Sequence, residues 1–391
     1  MAGARLVEPD LQFIREVKAA GGDTLKKCYQ CATCSTVCNI SPEKKPFPRK
    51  EMLMAGWGRS DELMKDPDVW LCHQCNDCTT YCPRGARPGD VLAAVRSFAY
   101  KHFAFPSFMG KALATPKALP ALLLVPIIIM VGCIFLTAPR AADGRFVFLQ
   151  SGVADFNLFL PHSSVDAIFV FGNILIFAFA AVGFVRFWRA LDSAGSGSRM
   201  SFLQGAVITL KEVLAHSKFK ECGTNYPRAT AHMLVLFGFI GAMITTGLVL
   251  LFVFLPHYIE LLGAENVHPF FHVPIDLPHP VKILGALSGL AILIGCVMLL
   301  YRRWTQKDEV GANGYADQLF LYVMFLTGLT GLTSWGSRLI GVPMFAYVNY
   351  FIHILCVFFL LWYMPYSKFA HMLYRGLAIV HARCSGRVVG W

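Results

Sequence analysis

CYQCATCSTVC at residues 28–38 and CHQCNDCTTYC at residues 72–82 decide the fold of the first part of this chain. Both segments follow the spacing C-x₂-C-x₂-C-x₃-C, and together they contain eight of the 13 cysteines. In this spacing three thiolates wrap around one 4Fe–4S cluster, whereas the fourth cysteine points away and binds the other cluster. The sequence therefore predicts two 4Fe–4S clusters.

The fourth cysteine of each motif defines the two predicted ligand groups. The first group, the cluster-1 cysteines, comprises Cys28, Cys31, Cys34 and Cys82. The second group, the cluster-2 cysteines, comprises Cys72, Cys75, Cys78 and Cys38. Zinc is the alternative metal, but tetrahedral zinc sites favour pairs of ligands separated by a longer gap. The first motif departs from the usual pattern in having Asn39 where proline is common.

The composition of the whole chain is that of a membrane protein. The 391 residues are 55% hydrophobic and 15% charged, with a mean hydropathy of +0.52, whereas about 25% of residues are charged in soluble domains. This composition excludes a disordered chain and a secreted disulfide-rich miniprotein. The N-terminus lacks the apolar segment of a secretory signal, so we expect the iron–sulfur domain, residues 1–105, to lie in the cytoplasm.

Residues 106–391 contain six apolar segments long enough to cross a hydrocarbon core about 30 Å thick. The predicted spans are 118–138, 166–187, 231–254, 282–301, 317–336 and 346–366. With the N-terminus inside, the inner segments carry sixteen Lys and Arg and the outer segments carry four. This bias predicts a multi-pass protein of the cytoplasmic (inner) membrane with both termini in the cytoplasm. It also accounts for the net charge of +11 without a nucleic-acid partner.

Histidines near the apolar segments indicate a second kind of metal centre, because an imidazole within a membrane helix is costly. His353 and His371 are 18 residues apart, which is five turns and about 27 Å along one continuous helix. Their position on one face predicts two b haems stacked across the bilayer. His232 and His371 are the predicted axial ligands of the inner haem, since both lie at the inner ends of spans.

The sequence leaves the second ligand of the outer haem open. His353 needs a partner near the outer surface, and His162 or His279 is favoured because both lie at the mouths of spans. Other candidates for this place are His257, His268 and His272. Three further histidines are expected at the surface: His102, His216 and His381.

Each part of the chain resembles a known family. The two cysteine motifs resemble those of the C subunits of heterodisulfide reductases. The segment from His353 through Pro365-Tyr-Ser-Lys-Phe-Ala-His371 resembles the haem-b membrane subunits of respiratory nitrate reductase (the gamma subunit) and of heterodisulfide reductase. The two parts in one chain resemble the QmoC-type membrane subunits of the quinone-interacting membrane-bound oxidoreductase complexes of sulfate-reducing bacteria.

This resemblance implies a mostly α-helical fold, in which a helical two-cluster ferredoxin-like domain precedes a six-helix transmembrane haem-b bundle. It implies menaquinone as substrate, flavin-containing QmoA-like and QmoB-like subunits as partners, and adenylylsulfate reductase as the final acceptor. One position departs from the nitrate reductase pattern, in which a second histidine follows the first by ten residues. Here that position is Ala242, so the outer haem takes a ligand from elsewhere or is absent.

We therefore expect a membrane subunit that passes electrons from menaquinol through b haems and two clusters to soluble partners. The candidates for quinone binding and proton transfer are Lys282 and Asp166 near the outer surface and Arg228 near the inner surface. Within the same class, the alternative is the membrane subunit of a heterodisulfide or sulfite-reduction complex. The alternatives of other classes are a transporter with a regulatory cluster domain and a redox-silent membrane anchor.

Overall fold

The computed structural model describes residues 8–193, 200–217, 226–263, 269–271, 273–306, 310–311 and 313–387. Within these ranges the chain is mostly α-helical and contains no β-strand, as the sequence predicts. His268 and His272, two of the candidates for the outer haem, lie outside the described residues.

Short helices surround the two cysteine loops in the N-terminal region. In chain order they are α1 (Leu11–Ala19), α2 (Thr33–Thr36), α3 (Arg49–Gly56), α4 (Ser60–Met64), α5 (Asp68–Leu71), α6 (Asp77–Thr80) and α7 (Pro88–Phe103). The Asp10 carboxylate accepts a hydrogen bond from the Phe13 amide (2.8 Å) and so satisfies one of the free N–H groups at the start of α1. Phe13 is fully buried and packs edge-on against Phe98 of α7.

Six helices in the rest of the chain are long and apolar enough to cross a membrane, which is the expected number. Spans one to six are Pro116–Thr137, His162–Asp192, Tyr226–Leu261, Pro280–Thr305, Tyr315–Ile340 and Pro343–Trp362. Their α-helical parts and the helices beside them are α8 (Ser107–Leu113), α9 (Leu119–Thr137), α10 (Phe156–Phe159), α11 (His162–Asp166), α12 (Gly172–Asp192), α13 (Phe202–Ala215), α14 (Tyr226–Val249), α15 (Leu255–Leu261), α16 (Pro280–Thr305), α17 (Tyr315–Ile340), α18 (Pro343–Trp362) and α19 (His371–Cys384). Spans two and three each contain a π-helical turn, at Ala167–Phe171 and Leu250–Phe254.

The prediction of one continuous helix from His353 to His371 is wrong. α18 ends at Trp362, and two short 3-10 turns separate it from α19, which begins at His371. The first of these turns contains Pro365, which has no N–H to donate and disfavours the α conformation of the residue before it. The two histidines therefore lie on different helices, and their spacing in the sequence does not place them on one face.

The N-terminal region and the membrane part share one apolar core. Trp70 is almost fully buried, and its ring contacts the rings of Tyr100, Phe187 and Tyr374 at centroid distances of 5.5, 5.4 and 5.5 Å. These three partners belong to α7, span two and α19, so one side chain joins three parts of the fold. Because removal of a buried tryptophan costs about 3–5 kcal/mol, this contact holds the cysteine loops firmly against the membrane part.

Glycines let the backbones of spans three and four approach closely. A Cβ on Gly238 would lie 2.8 Å from the carbonyl oxygen of Ser288, and a Cβ on Gly295 would lie 2.7 Å from that of Ala231. Membrane helices use small residues in this way because van der Waals contact is a main source of their association. The crossing adjoins His232 on span three and so fixes the position of that histidine in the bundle.

We predict that Gly238→Ala destabilises the folded protein and that Gly247→Ala, on the same span, does not. The methyl group at position 238 would meet a backbone carbonyl that cannot move aside, at an expected cost of about 1–3 kcal/mol. A Cβ at position 247 has no atom within 4 Å. Thermal unfolding in detergent micelles measures the difference, and equal midpoints for the two variants would contradict this packing.

Candidate metal centres

The two cysteine loops have the same backbone conformation. Gln30 and Ala32 in the first loop have φ values of 61° and 69°, and Gln74 and Asn76 in the second have φ values of 52° and 75°. These residues occupy equivalent places, two and four positions after the first cysteine of each motif. Residues other than glycine enter this left-handed region at an energetic cost. Its repetition indicates that both loops are shaped to surround the same kind of group.

The structure brings together two groups of four cysteines. The Cys34 thiol interacts electrostatically with those of Cys28, Cys31 and Cys82. The Cys78 thiol interacts with those of Cys72, Cys75 and Cys38. Each group thus contains the fourth cysteine of the other motif, which is the crossed arrangement that the spacing predicts. Binding of iron by these two groups stays a prediction.

The spacing of the sulfur atoms suits a polynuclear cluster better than a single zinc ion. Zinc at about 2.3 Å from four sulfurs would hold them roughly 3.8 Å apart. All eight motif cysteines are among the described residues, and no three of their Sγ atoms lie within 4.8 Å of one another. Neither group therefore has the close spacing of sulfur atoms that a zinc ion requires.

Oxygen atoms of three carboxylates lie within 4.8 Å of one another, but they form ion pairs with a lysine side chain. They belong to Glu51, Asp66 and Asp68. The Lys50 ammonium lies 3.2, 2.7 and 3.1 Å from their oxygens, and Arg387 also forms an ion pair with Asp68. Burial raises the pKa of the Glu51 carboxyl to about 8. This group joins the C-terminal segment to α3 and α5.

Backbone amides donate hydrogen bonds to the cysteine sulfurs. The Gln74 amide donates to Cys72 Sγ (3.4 Å), and the Ala86 amide donates to Cys82 Sγ (3.3 Å). Bonds of this kind help set the reduction potential of an iron–sulfur cluster. Burial raises the pKa of the Cys34 thiol to about 11, so binding of iron at neutral pH must displace its proton.

The two cysteine groups differ in their access to solvent. Cys31 is exposed, and so are Tyr29 and Tyr81, each next to a cluster-1 cysteine, with exposed fractions of 68% and 63%. Cys72, in contrast, lines a cavity shared with the membrane part. The cluster-1 group is therefore open to solvent at Cys31, and the cluster-2 group faces the membrane part at Cys72.

A cavity of about 1030 Å³ lies between the N-terminal region and the ends of the spans nearest to it. Its walls include Cys72 and Gln74 of the second cysteine loop together with His232 and His371. Ligand-binding cavities usually have volumes of about 300–1,000 Å³. A large cofactor can therefore be held between the second cysteine loop and this histidine pair.

His232 and His371 lie together, as the sequence predicts for the inner haem. Their ring centres are 6.4 Å apart at an interplanar angle of 76°. Nδ1 of His371 donates to the carbonyl oxygen of Lys368 (2.6 Å), and Nδ1 of His232 lies 2.8 Å from Nε2 of His216. Histidines that bind metals are typically held by a hydrogen bond at the other ring nitrogen. Nε2 of both rings is therefore the nitrogen suited to a metal.

The surroundings of this pair also fit a b haem. Two neutral imidazoles suit the axial positions of a haem iron, and burial lowers the pKa of the His371 imidazole to about 4. Four arginines line the same cavity: Arg96, Arg228, Arg303 and Arg375. Arginine pairs well with carboxylate groups such as haem propionates. Haem binding by His232 and His371 stays a prediction.

Arg228, a candidate for quinone binding, is placed against the second cysteine loop. Its Nη1 donates to the carbonyl oxygens of His73 (2.9 Å) and Gln74 (2.8 Å). Two further arginines donate to carbonyl oxygens of the same segment. Arg96 donates to that of Val69 (2.7 Å), and Arg375 donates to that of Leu71 (3.4 Å). Arginines thus join residues 69–74 to the helices that line the cavity.

The structure does not bring His353 together with His162 or His279. His353 Nδ1 lies 3.1 Å from Thr330 Oγ1. His162 packs against the ring of Phe254, and His279 caps the start of span four. Neither is among the contacts that the structure describes for His353, and the large cavity does not reach this residue. No second histidine is therefore among the contacts that the structure describes for His353.

The other two candidates for quinone binding lie near the predicted outer surface. Asp166 accepts a hydrogen bond from the Tyr258 hydroxyl (2.9 Å) and adjoins the π-helical turn of span two. The Lys282 ammonium lies over the ring of Trp335, 4.7 Å from its centre. The structure thus gives each of these groups a partner within the bundle.

Two of the histidines expected at the surface are buried. His216 follows α13, and His381 lies on α19, and each is 4% exposed. His216 contacts His232, which makes it the one residue of the histidine site that the sequence analysis missed. The two are 16 residues apart and belong to different helical segments, so no helical period in the sequence predicts their contact.

We predict that Cys82→Ser and Cys38→Ser remove different clusters. Attack by a chelator and oxidant should be biphasic in the unmodified chain, because Cys31 of the cluster-1 group is exposed and Cys72 of the cluster-2 group lines the cavity. Cys82→Ser should abolish the fast phase, and Cys38→Ser should abolish the slow phase. Iron content and visible absorption during the attack measure both phases. The reverse assignment would contradict the crossed groups.

The N-terminal region matches a protein family known for paired clusters. Residues 24–86 match the family model described as a 4Fe-4S dicluster domain. The C subunit of the H(2):CoB-CoM heterodisulfide,ferredoxin reductase of Methanothermobacter marburgensis is 38% identical over 93 residues, which are 24% of this chain and 50% of that protein. A protein of Archaeoglobus profundus that is like the C subunit of heterodisulfide reductase is 34% identical over 92 residues, 23% of this chain and 49% of that protein. The predicted resemblance to the C subunits of heterodisulfide reductases is thereby confirmed.

A second family matches most of the chain that follows the dicluster domain, and one protein of that name aligns with nearly the whole chain. The Citrate utilization protein B of Escherichia coli is 25% identical over 397 residues, which cover 94% of this chain and 92% of that protein. The narrower resemblance to QmoC-type subunits stays a prediction. The family model described as Citrate utilization protein B matches residues 113–389, well over half of the chain. The chain therefore belongs to the citrate utilization protein B family, and its N-terminal dicluster domain is similar to the C subunits of heterodisulfide reductases.

Proposed function

We propose that this protein is a membrane electron-transfer subunit that connects menaquinone in the bilayer to a soluble oxidoreductase. The observation that carries the proposal is that Cys72 of the second cysteine loop lines the same cavity as the pair His232 and His371. The similarity of the N-terminal region to iron–sulfur subunits of heterodisulfide reductases supports it. So do the six apolar helices, which suit a subunit that meets a lipid-soluble substrate.

We propose two 4Fe–4S clusters and one b haem as its cofactors. When bound, these groups supply one-electron chemistry. The chain holds them in place: the Lys368 carbonyl orients His371, and the amides of Gln74 and Ala86 bind cysteine sulfurs. The second haem of the sequence-based hypothesis is left out of the proposal, because His353 lacks a second histidine among its described contacts.

We propose that the protein lies in the cytoplasmic membrane with the iron–sulfur region and both termini in the cytoplasm. The excess of Lys and Arg in the inner segments supports this orientation. The packing of Trp70 against Phe187 of span two and Tyr374 of α19 is consistent with it, because the cysteine loops then lie on the same side as the Lys- and Arg-rich segments.

The soluble partner docks, in this proposal, on the exposed surface around Cys31. We name this surface the cluster-1 face; it contains Tyr29, Cys31, Tyr81 and five exposed basic residues, Lys26, Lys27, Arg49, Arg84 and Arg87. Arg84 stacks on the Tyr29 ring at 4.1 Å, and Arg49 donates to the Gln30 carbonyl (3.1 Å). A basic face with exposed aromatic rings suits a partner with an acidic surface around its own redox group. Flavin-containing subunits of the QmoA and QmoB type are the proposed partners.

Two cellular pathways are candidates for this activity. One is sulfate respiration, in which menaquinol supplies electrons that reach adenylylsulfate reductase through the flavin-containing subunits. The other is suggested by the name of the Escherichia coli relative, which matches 94% of this chain and is a protein of citrate utilization. Identification of the subunits that co-purify with the chain from native membranes distinguishes the two pathways.

For the quinone itself we propose a site near Arg228, which lines the same cavity as His232 and His371. Asp166 and Lys282 lie near the predicted outer surface, about 30 Å of hydrocarbon away from the one proposed haem. Crosslinking by a photoreactive menaquinone analogue tests this site. Labels confined to the outer half of the bundle, around Asp166 and Lys282, would contradict it.

A transporter or a redox-silent anchor would share the six helices but not the histidine pair. Both rival functions require that no haem is bound between His232 and His371. Reduction of a haem in the purified chain by a menaquinol analogue excludes both, and its absence from fully matured protein would favour them.

We predict a highly anisotropic low-spin haem signal in the EPR spectrum of the oxidised protein. Axial imidazoles with nearly perpendicular planes give such a signal, and the rings of His232 and His371 are inclined at 76°. His371→Ala should abolish the signal while the iron–sulfur content is kept. His353→Ala is the control and should retain it, since one haem is proposed. A signal typical of parallel rings, or loss in the control, would contradict the assignment.

We predict that Arg84→Glu slows electron entry at the cluster-1 face. The probe is reduced flavodoxin, an acidic flavoprotein, and the rate of haem reduction in the chain is measured by stopped-flow absorption. Reversal of one charge should lower the rate several-fold at low salt and reduce its salt dependence. Lys65→Glu, an equal change at an exposed residue just after α4 that does not line the cavity, is the control. Equal rates for both variants would show that the partner docks elsewhere.

A further inference from the structure

His216 is a buried histidine that the proposed function does not yet explain. It is 4% exposed and lies directly after the last residue of α13, at a position that ends the helix. Its Nε2 atom lies 2.8 Å from Nδ1 of His232, and the two ring centres are 5.1 Å apart. The histidine pair at the cavity is thus extended by a third imidazole.

The backbone of His216 is in an unfavourable conformation for a residue with a side chain. Its φ is 52° and its ψ is 29°, in the left-handed region that glycine usually fills at the end of a helix. Residues other than glycine keep such conformations only where contacts with the surrounding structure hold them there, and these residues are common at functional sites. Here the ring is held against His232, which gives the strained backbone a role that glycine could not perform.

The hydrogen bond between the two histidines has a direction once His232 binds a metal through Nε2. A neutral imidazole has one proton, so Nδ1 of His232 then donates that proton and Nε2 of His216 accepts it. His216 must therefore carry its own proton on Nδ1. The hydrogen bond to His216 thus selects one tautomer of His232, as the Lys368 carbonyl does for His371.

We infer that His216 is a positioning residue that fixes the tautomer and the ring plane of His232 as a haem ligand. The inference rests on the proposed function, because it requires a haem between His232 and His371. The two rings are held by acceptors on different elements, His216 after α13 and Lys368 before α19. Their nearly perpendicular planes follow from these two separate acceptors.

The test compares two substitutions of His216 in the full-length chain purified in detergent. His216→Phe keeps an aromatic ring but removes the acceptor, whereas His216→Gln supplies a carbonyl oxygen near the place of Nε2. His381→Phe is the matched control, because His381 is equally buried but packs against Trp188. Each variant is assayed for the EPR signal of the haem, haem affinity and iron–sulfur content, and the last of these reports whether the protein has folded.

His216→Phe should move the EPR signal away from that of perpendicular rings and weaken haem binding by about 10-fold or more. His216→Gln should restore most of both properties, and His381→Phe should leave them unchanged. An unaltered signal and affinity in His216→Phe would overturn the inference, as would a His216→Gln variant no better than His216→Phe. Absence of haem from the unmodified, cluster-loaded chain would instead overturn the proposed function, which keeps the two failures distinct.

Discussion

Hydrogen bonds from half-buried arginines to the backbone of residues 69–74 are the contacts on which the arrangement of the two metal centres depends. Arg228 lies one helical turn before His232, and Arg375 lies one turn after His371, so each arginine shares a helix face with one histidine of the pair. Burial lowers the pKa of Arg375 to about 10, which leaves it charged at neutral pH. A charge withdrawn from water requires hydrogen bonds, and the carbonyls of residues 71, 73 and 74 supply them.

This arrangement makes the two parts of the chain one unit. The match to the dicluster family ends at residue 86 and the match to the citrate utilization protein B family begins at residue 113, yet the apolar core crosses that boundary. Trp70 contributes to it from the N-terminal side, and Phe187 and Tyr374 contribute from the membrane side. A separately mobile ferredoxin-like domain would not maintain a cavity shared by cysteine and histidine side chains.

Much of this architecture could be predicted from the sequence because local patterns carry it. The spacing within each cysteine motif predicts the crossed groups, and apolar segments of sufficient length predict the six candidate spans. The sequence also predicts the contact of His232 with His371, because both lie at the ends of predicted spans on the same side of the membrane. The continuous helix from His353 to His371 is a separate prediction, and Pro365 interrupts it.

What could not be predicted depends on contacts between distant segments. His216 meets His232 only after α13 and span three have packed, and its left-handed backbone has no signature in the residue type or in hydrophobic periodicity. Arg228 has the sequence context of a charge at a membrane surface, and only the folded N-terminal region reveals that its partners are carbonyls. The separation of His353 from His162 and His279 is likewise a property of the assembled bundle.

The most direct test of the central claim is a count of cofactors in the purified full-length chain, followed by addition of a menaquinol analogue. The account predicts one b haem and about eight non-haem irons per chain, as two 4Fe–4S clusters require, with the haem reduced by the quinol. Full iron–sulfur content without haem, or a haem that the quinol does not reduce, would contradict it.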